Sequence, residues 1–453
     1  CIEDEIPFEL PEGWEWCRVR DIAAVKGGKR LPKGVGFSPC RTAHAYIRVT
    51  DMKNHCINTD DLKYISEEVF LQIKNYTISK DDLYVTIAGT IGVTGEVPTE
   101  LDGMNLTENA VKITNIQINK NYLCLIIQSE FVQQQFQDKT HQVAMPKLAL
   151  ERILSTLIPV CTITTQSAMV SKFVEMDSLI NQIREEKEIL AETVSLTKSK
   201  ILDLAIRGKL VPQNPDDEPA SVLLERIRAE KEELIKAGKI KRDKKESIIF
   251  KGDDNSYYEK VGAEIRCIDS EIPFEIPDGW MYERLGNICS IARGGSPRPI
   301  ENYLTDDENG LNWIKIGDTE QGGKYIYSTK EKIRPEGLSK TRYVCSGDFL
   351  LTNSMSFGRP YILRTNGCIH DGWLVIGGIE IAFHQDYLYY MLSSSIMYNA
   401  LSSLAVGSTV KNLKSDSVKS LLVPIPPLAE QACISRQIEN YFATMLPIER
   451  SLS

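Results

Sequence analysis

The 453-residue chain holds residue types for several kinds of chemistry, but none is spaced to perform it. Its five histidines, His44, His55, His141, His370 and His384, are scattered, so neither a Ser-His-Asp arrangement nor a zinc ligand set can be built from sequence neighbours. The eleven cysteines are odd in number and include no C-x-x-C pair, which reads as reduced thiols and a cytoplasmic location. A phosphate-cradling GxxxxGK[ST] loop is absent, because Lys29 and Lys324 follow glycines but precede Arg30 and Tyr325. Gly89, Gly92 and Gly95 do not form GxGxxG and fit a turn between strands. Asn214-Pro215 continues as Asp216-Asp217, without the aromatic residue that an Asn-Pro-Pro-aromatic methyltransferase sets against a flipped base. Asp216 and Asp217 match a nuclease carboxylate cluster by composition alone. The expectation is a chain with no catalytic residue, no metal and no cofactor of its own.

The elements that surround these residues form a duplication. EIPFELPEGW at Glu5–Trp14 returns as EIPFEIPDGW at Glu271–Trp280 with eight of ten positions identical, and the register continues: Tyr46, Arg48 and Asp51 face Trp313, Lys315 and Asp318. Asp82–Thr86 faces Asp348–Thr352, and LIPVCTITTQ (Leu157–Gln166) faces LVPIPPLAEQ (Leu422–Gln431). Framework positions repeat while the polar residues between them differ, as two different ligand half-sites would require. Each copy reads as mixed α/β. Brief β-rich runs are expected at Tyr64-Ile65, Leu83–Ile87, Ala110–Ile113, Trp313–Ile316, Phe349–Thr352 and Trp373–Ile376, with helices at Tyr122–Phe136 and Tyr387–Leu401.

Different sequence follows each copy. Phe173, Met176, Ile180, Ile183, Lys187, Leu190, Val194, Thr197, Ile201 and Leu204 step by three and four, a heptad seam that Gly208 and Pro212 stop. A second seam starts at Ile438, Tyr441, Met445 and Ile448, and the two are expected to pair antiparallel. Between them, residues 211–270 read as a linker. Its own helix starts near Pro219, carries an apolar stripe of Val222, Leu223 and Ile227, and stops at Gly238. A basic cluster follows, Lys239, Lys241, Arg242, Lys244 and Lys245, with a solvated linker favoured over a DNA arm. No run of 18 apolar residues and no secretory pattern appears, which excludes a helical membrane protein. The net charge of −9 argues against nucleic acid until it is divided. Residues 21–150 carry 14 basic and 14 acidic side chains and residues 287–415 carry 13 and 12, so the flanks hold the acidity and a local basic face is permitted.

This organisation resembles the specificity subunit of type I restriction-modification systems over nearly the whole chain. The resemblance rests on PIPPLAEQ at Pro424–Gln431, GSTVKNL at Gly407–Leu413 and LDLAIRGKLVPQ at Leu202–Gln213. The sequence departs from the pattern at Cys161, Thr162, Ile163 and Thr164, where the second copy has Pro426, Pro427, Leu428 and Ala429, and in a short terminal helix. The resemblance implies an α/β (α+β) fold with two tandem target recognition domains, 1–160 and 271–427. It also implies a conserved coiled-coil helix at 161–210, the linker at 211–270 and a conserved C-terminal helix at 428–453, pairing as an antiparallel coiled coil. It further implies a non-catalytic reader of a bipartite asymmetric double-stranded DNA site. Its partners would be two modification (methyltransferase) subunits and restriction (translocase-nuclease) subunits, which use S-adenosylmethionine, ATP and Mg.

The residue chemistry agrees, since Arg or Lys reads guanine, Asn or Gln reads adenine, and Lys, Arg, Ser and Thr hold phosphates. The first copy offers Lys29, Arg30, Lys33, Arg48, Thr50, Lys53, Asn54, Thr90, Asn105, Thr107 and Asn109. The second offers Arg293, Ser296, Arg298, Lys315, Asn353, Ser354, Ser356, Arg359, His370, Lys411 and Asn412. Arg48 and Lys315 stand out because a basic side chain recurs at one place, whereas Thr107-Glu108-Asn109 also reads as a buried turn and Trp14 and Trp280 as core. Two alternatives stay open, a fused endonuclease-methyltransferase and a coiled-coil protein-binding scaffold. S-adenosylmethionine binding would mark the first, and absence of salt-sensitive DNA retention the second.

Overall fold

The computed structural model describes residues 5–138, 147–242, 246–320, 322–354, 357–405 and 412–452. Candidate residues Ser356 and Lys411, along with His141, Lys244, Lys245 and most of the Gly407–Leu413 motif, lie outside the described residues. The chain divides into two compact units, 1–185 and 186–453.

In the first unit the strand after the repeated motif, Glu15–Arg18, pairs antiparallel with Leu157–Val160, joining the two ends of the copy. Two four-stranded sheets lie between. One orders Lys63–Ile65, His44–Ile47, Met104–Leu106 and Thr77–Ile78; the other orders Ala24–Gly27, Ala110–Thr114, Leu83–Thr86 and Thr94–Glu96. Strand periodicity divides the core. Leu83 and Val85 face a cluster with the helix residues Leu123 and Ile127, while Tyr84 points the other way into a cluster with Ala45, Ile47 and Leu106.

The second unit repeats the plan. Met281–Arg284 pairs with Leu422–Ile425, and two five-stranded sheets share their cores by the same alternation, with Phe349 and Leu351 on one side and Leu350 on the other. In both copies one parallel pair joins the sheet nearest the reading loops: Asn105 beside Tyr46, and Trp313 beside Cys368.

The expected single helices Tyr122–Phe136 and Tyr387–Leu401 are each two, Lys120–Gln128 with Glu130–Asp138 and Gln385–Ser393 with Ser395–Leu404. Serine makes the break in both. Ser129 Oγ donates to Ile126 O (2.6 Å) and accepts from Val132 N–H; Ser394 Oγ donates to Met391 O (2.7 Å) and accepts from Met397 N–H. A hydroxyl that caps the following turn competes with helix continuation.

One 44-residue helix, Ile163–Ile206, carries the seam, and the unit boundary falls inside it. Within the second unit it packs antiparallel against Leu428–Leu452: Lys198 meets Phe442 and Glu449, while Gln213, beyond its C-terminus, meets Glu430. Buried positions there include Val194, Ile201, Leu202, Ala205 and Ile206, and Thr197 is exposed where the strict heptad put it inward. A straight helix has about 3.6 residues per turn, so a 3.5-residue pattern drifts and Lys198 takes the place of Thr197.

The stretch 211–270 is more than a linker with a helix. Ala220–Lys236 is followed by a three-stranded antiparallel meander, Ser247–Lys251, Tyr257–Val261 and Glu264–Cys267. Arg242 of the basic cluster pairs with Glu232 of that helix, a local contact. All ten described cysteines are free, and no described helix is long and apolar enough to cross a membrane.

Candidate nucleic-acid interface

In each copy a loop follows the strand Ala24–Gly27 or Ser290–Arg293 and crosses the end of the parallel strand. Gly28 N–H donates to Ala110 O (3.1 Å) and Lys29 N–H to Leu106 O (2.9 Å); Gly294 N–H donates to Trp373 O (2.9 Å) and Gly295 N–H to Ile369 O (3.3 Å). The approach leaves no room for a side chain. A Cβ on Gly28 would stand 2.0 Å from Thr107 O, and one on Gly294 2.3 Å from His370 O.

This lacing sets an acidic residue opposite the loop in both copies. In the first, Glu108 Oε1 accepts from Arg30 Nε (2.7 Å) and Oε2 from Thr107 Oγ1 (3.0 Å). Lys147 Nζ reaches the Glu108 carbonyl (3.2 Å), and Tyr46 OH donates to Lys29 O (2.7 Å). Burial pushes the Glu108 carboxyl up, but the Arg30 and Thr107 hydrogen bonds outweigh it and hold it below its ordinary value. Arg30 stays 78 % exposed, so most of its five donors face solvent. Lys29 extends over the Tyr76 ring at 5.3 Å.

In the second copy Asp371 gathers a different set. Its Oδ1 accepts from Ser296 Oγ (2.9 Å) and Oδ2 from Arg298 Nη2 (3.2 Å), and its carbonyl accepts from Arg293 Nε (2.9 Å) and Asn353 Nδ2 (2.8 Å). Burial again opposes ionisation, and the Ser296 hydroxyl with His370, Arg293 and Arg298 keeps the carboxyl below its usual value. Arg298, between Pro297 and Pro299, is 80 % exposed. Beside it opens a cleft of about 740 Å³ that includes Pro299, Trp313, Lys315 and His370. The His370 ring accepts from Gly372 N–H at Nδ1 (2.6 Å), and burial lowers its pKa.

The structure thus brings Lys29, Arg30, Thr107 and Asn109 together in one head and Arg293, Ser296, Arg298, Asn353 and His370 in the other. Other expected readers sit elsewhere. Arg48 is committed to Asp51 (Nη2 to Oδ1, 2.6 Å) and to the Asp61 carbonyl (2.8 Å), and Lys315 pairs with Glu331. Their recurrence has a backbone reason as well, since Asp51 and Asp318 accept the N–H of Arg48 and Lys315, each at 2.8 Å. Asn105 and Asn353 are fully buried, which corrects their expected place among loop readers, while Thr107, nearly buried, fits the buried turn that its sequence also allowed: Asn105 spans to Ile73 O (3.0 Å), and Asn353, within the second head, is tied to Asp371. Asn54, with φ +51°, and His55, with φ +61°, make the two-residue turn between Met52–Lys53 and Cys56–Ile57, a backbone use of asparagine. Lys33, Thr50, Lys53 and Thr90 are exposed, and Ser354 and Asn412 are half-buried. Arg359 is exposed in a separate groove of about 850 Å³ with Ser195, Ser199 and Tyr398. Sequence reading missed the anchoring role of Glu108 and Asp371. The signal was an acidic residue just before the β-run in TENAVKI and HDGWLVI, at matching places in both copies.

Two copies of one sheet-and-helix frame, each with an anchored basic head of different content, define a duplicated recognition protein. The profile of the type I restriction modification DNA specificity domain matches residues 11–192 and 277–452, and the chain belongs to that family. Its role is therefore DNA specificity and not catalysis. The chain is 24 % identical to the type I restriction enzyme EcoEI specificity subunit of Escherichia coli, over 97 % of this chain and 79 % of that protein. It is 28 % identical to the EcoAI specificity subunit of the same organism, over 64 % and 54 %. In fold it is similar to the HsdS subunit from Thermoanaerobacter tengcongensis, with a TM-score of 0.54 at 17 % identity over 99 % of this chain and 94 % of that one. A chain from a structure of type I restriction-modification complex assembly gives a TM-score of 0.60 at 16 % identity over 98 % and 94 %.

Proposed function

We propose that this chain reads a bipartite, asymmetric DNA site, one half with the Glu108 head and the other with the Asp371 head, in the cytoplasm. Two modification subunits and the restriction subunits dock on it and bring S-adenosylmethionine, ATP and Mg; this chain holds none of them. The observation that carries the reading is the duplication itself, in which glycine lacing and an anchoring acid repeat while the side chains gathered there do not. The test is retention of a non-cognate duplex by the purified complex. At about six to ten phosphate contacts, affinity falls about 10³–10⁵-fold between roughly 50 and 200 mM salt. Retention that is absent at low salt, or indifferent to salt, would overturn the reading.

A further inference from the structure

We infer that Glu108 and Asp371 are the positioning residues of the two heads, each holding one edge of an exposed arginine, Arg30 or Arg298, so that the remaining N–H donors are presented to a base pair. The inference rests on the chain being a DNA reader and goes beyond it by naming what fixes the reader.

Its first support is that the pairing recurs where chance would scatter it. Both acids follow the parallel strand of their copy, and both arginines lie on the glycine-laced loop that crosses that strand. The two loops are otherwise unlike: from the equivalent laced glycines Gly28 and Gly294, the arginine stands two residues on in the first and four in the second, and is still met by the acid. The second support is exposure. The arginines are 78 % and 80 % exposed, whereas the Glu108 side chain is 25 % exposed, so the acid belongs to the frame and the base to the solvent. Asp371 is more open at 40 %, and its carbonyl is held by the buried Asn353 from within and by the exposed Arg293 from outside. A guanidinium has five donors and the carboxylate takes one in each head, which leaves a free edge for the two acceptors of guanine. An arginine already held in place loses less rotamer freedom on binding. The acid also repels phosphate, so it favours a base edge over non-specific backbone contact.

The experiment uses the complete complex and compares Glu108→Gln and Asp371→Asn with Arg30→Ala and Arg298→Ala. The methylated sequence in cells is read alongside duplex affinities in vitro. Each acid variant should make one position of a single half-site degenerate, with discrimination falling about tenfold or more. Low-salt retention of non-cognate duplex should stay equal or rise, since a negative charge is removed. Arg30→Ala/Glu108→Gln should be no worse than Arg30→Ala alone, because the acid acts through the arginine. A half-site that stays sharply defined in both acid variants overturns the inference. Losses that add in the double variant, or a lowered melting temperature with unchanged discrimination, also overturn it and leave the acids purely structural. If the wild-type complex itself retains no DNA, the proposed function fails first.

Discussion

The two heads differ in which groups hang on the acid. Glu108 holds Arg30, Thr107 and Tyr46 on its carboxylate and Lys147 on its carbonyl, whereas Asp371 holds Ser296 and Arg298 on its carboxylate and Arg293 and Asn353 on its carbonyl. The sheets, the glycine lacing and the serine-capped helix break beneath them are shared. One frame therefore tolerates two contents, because what holds the frame together lies away from the loop that varies. The copies differ at their bases too. Trp280 is buried and donates from Nε1 to Glu430 (2.8 Å), which also accepts from Gln213 (2.8 Å), while Trp14 is half-buried and the residue matching Glu430 is Thr165.

The largest difference between the copies should appear at those tryptophans. Trp280→Ala is expected to cost about 3–5 kcal/mol of stability and Trp14→Ala about 1 kcal/mol, measured by denaturant unfolding. Equal costs would deny the second base its special role. Next comes the recurrent basic pair. Arg48→Ala leaves the buried Asp51 without its ion pair and should cost about 1.5–3 kcal/mol of stability. Lys315→Ala, at a half-exposed pair with Glu331, should cost less than about 1 kcal/mol of stability and weaken DNA binding instead. Then Arg30→Ala and Arg298→Ala should each lose about 1–3 kcal/mol of discrimination at one half-site only, measured by competition binding.

The last contrast is in pH response, with two groups of the second unit shifted in opposite directions. Burial resists ionisation of Glu259, but hydrogen bonds from Arg284, Ser247 and Arg266 bring its pKa from the ordinary 4.5 to about 2. A depressed folded pKa stabilises above the unfolded value, so this contribution is full above about pH 4.5 and is lost as the pH falls towards 2. Burial raises Glu430, so its contribution is present below its unfolded pKa and is lost as the pH rises through the raised one. Glu259→Gln should therefore flatten the acid limb of the stability curve and Glu430→Gln the limb above it. Unfolding free energies across pH check both.

The duplication and the long helix were legible in the sequence because framework residues repeat in register and an amphipathic seam has a period. The helix break was not, since Ser129 and Ser394 look like any polar residue inside a helical run and act only through a capping hydroxyl. The meander was missed because YYEKV and EIRC are short and charged, although the Gly252 and Gly262 turns between β-rich runs marked a hairpin. For the heads, side-chain type identified candidates but not exposure. Asn105 and Arg30 are equally able to read a base, and only tertiary packing put one inside the sheet and the other on its rim.

That each unit reads its own half of the site can be tested by exchanging residues 21–150 for the matching segment of another family member and sequencing the methylated DNA of cells carrying the complex. One half of the methylated sequence should change and the other should persist unaltered. A change in both halves, or in neither, would overturn the division of labour between the two heads.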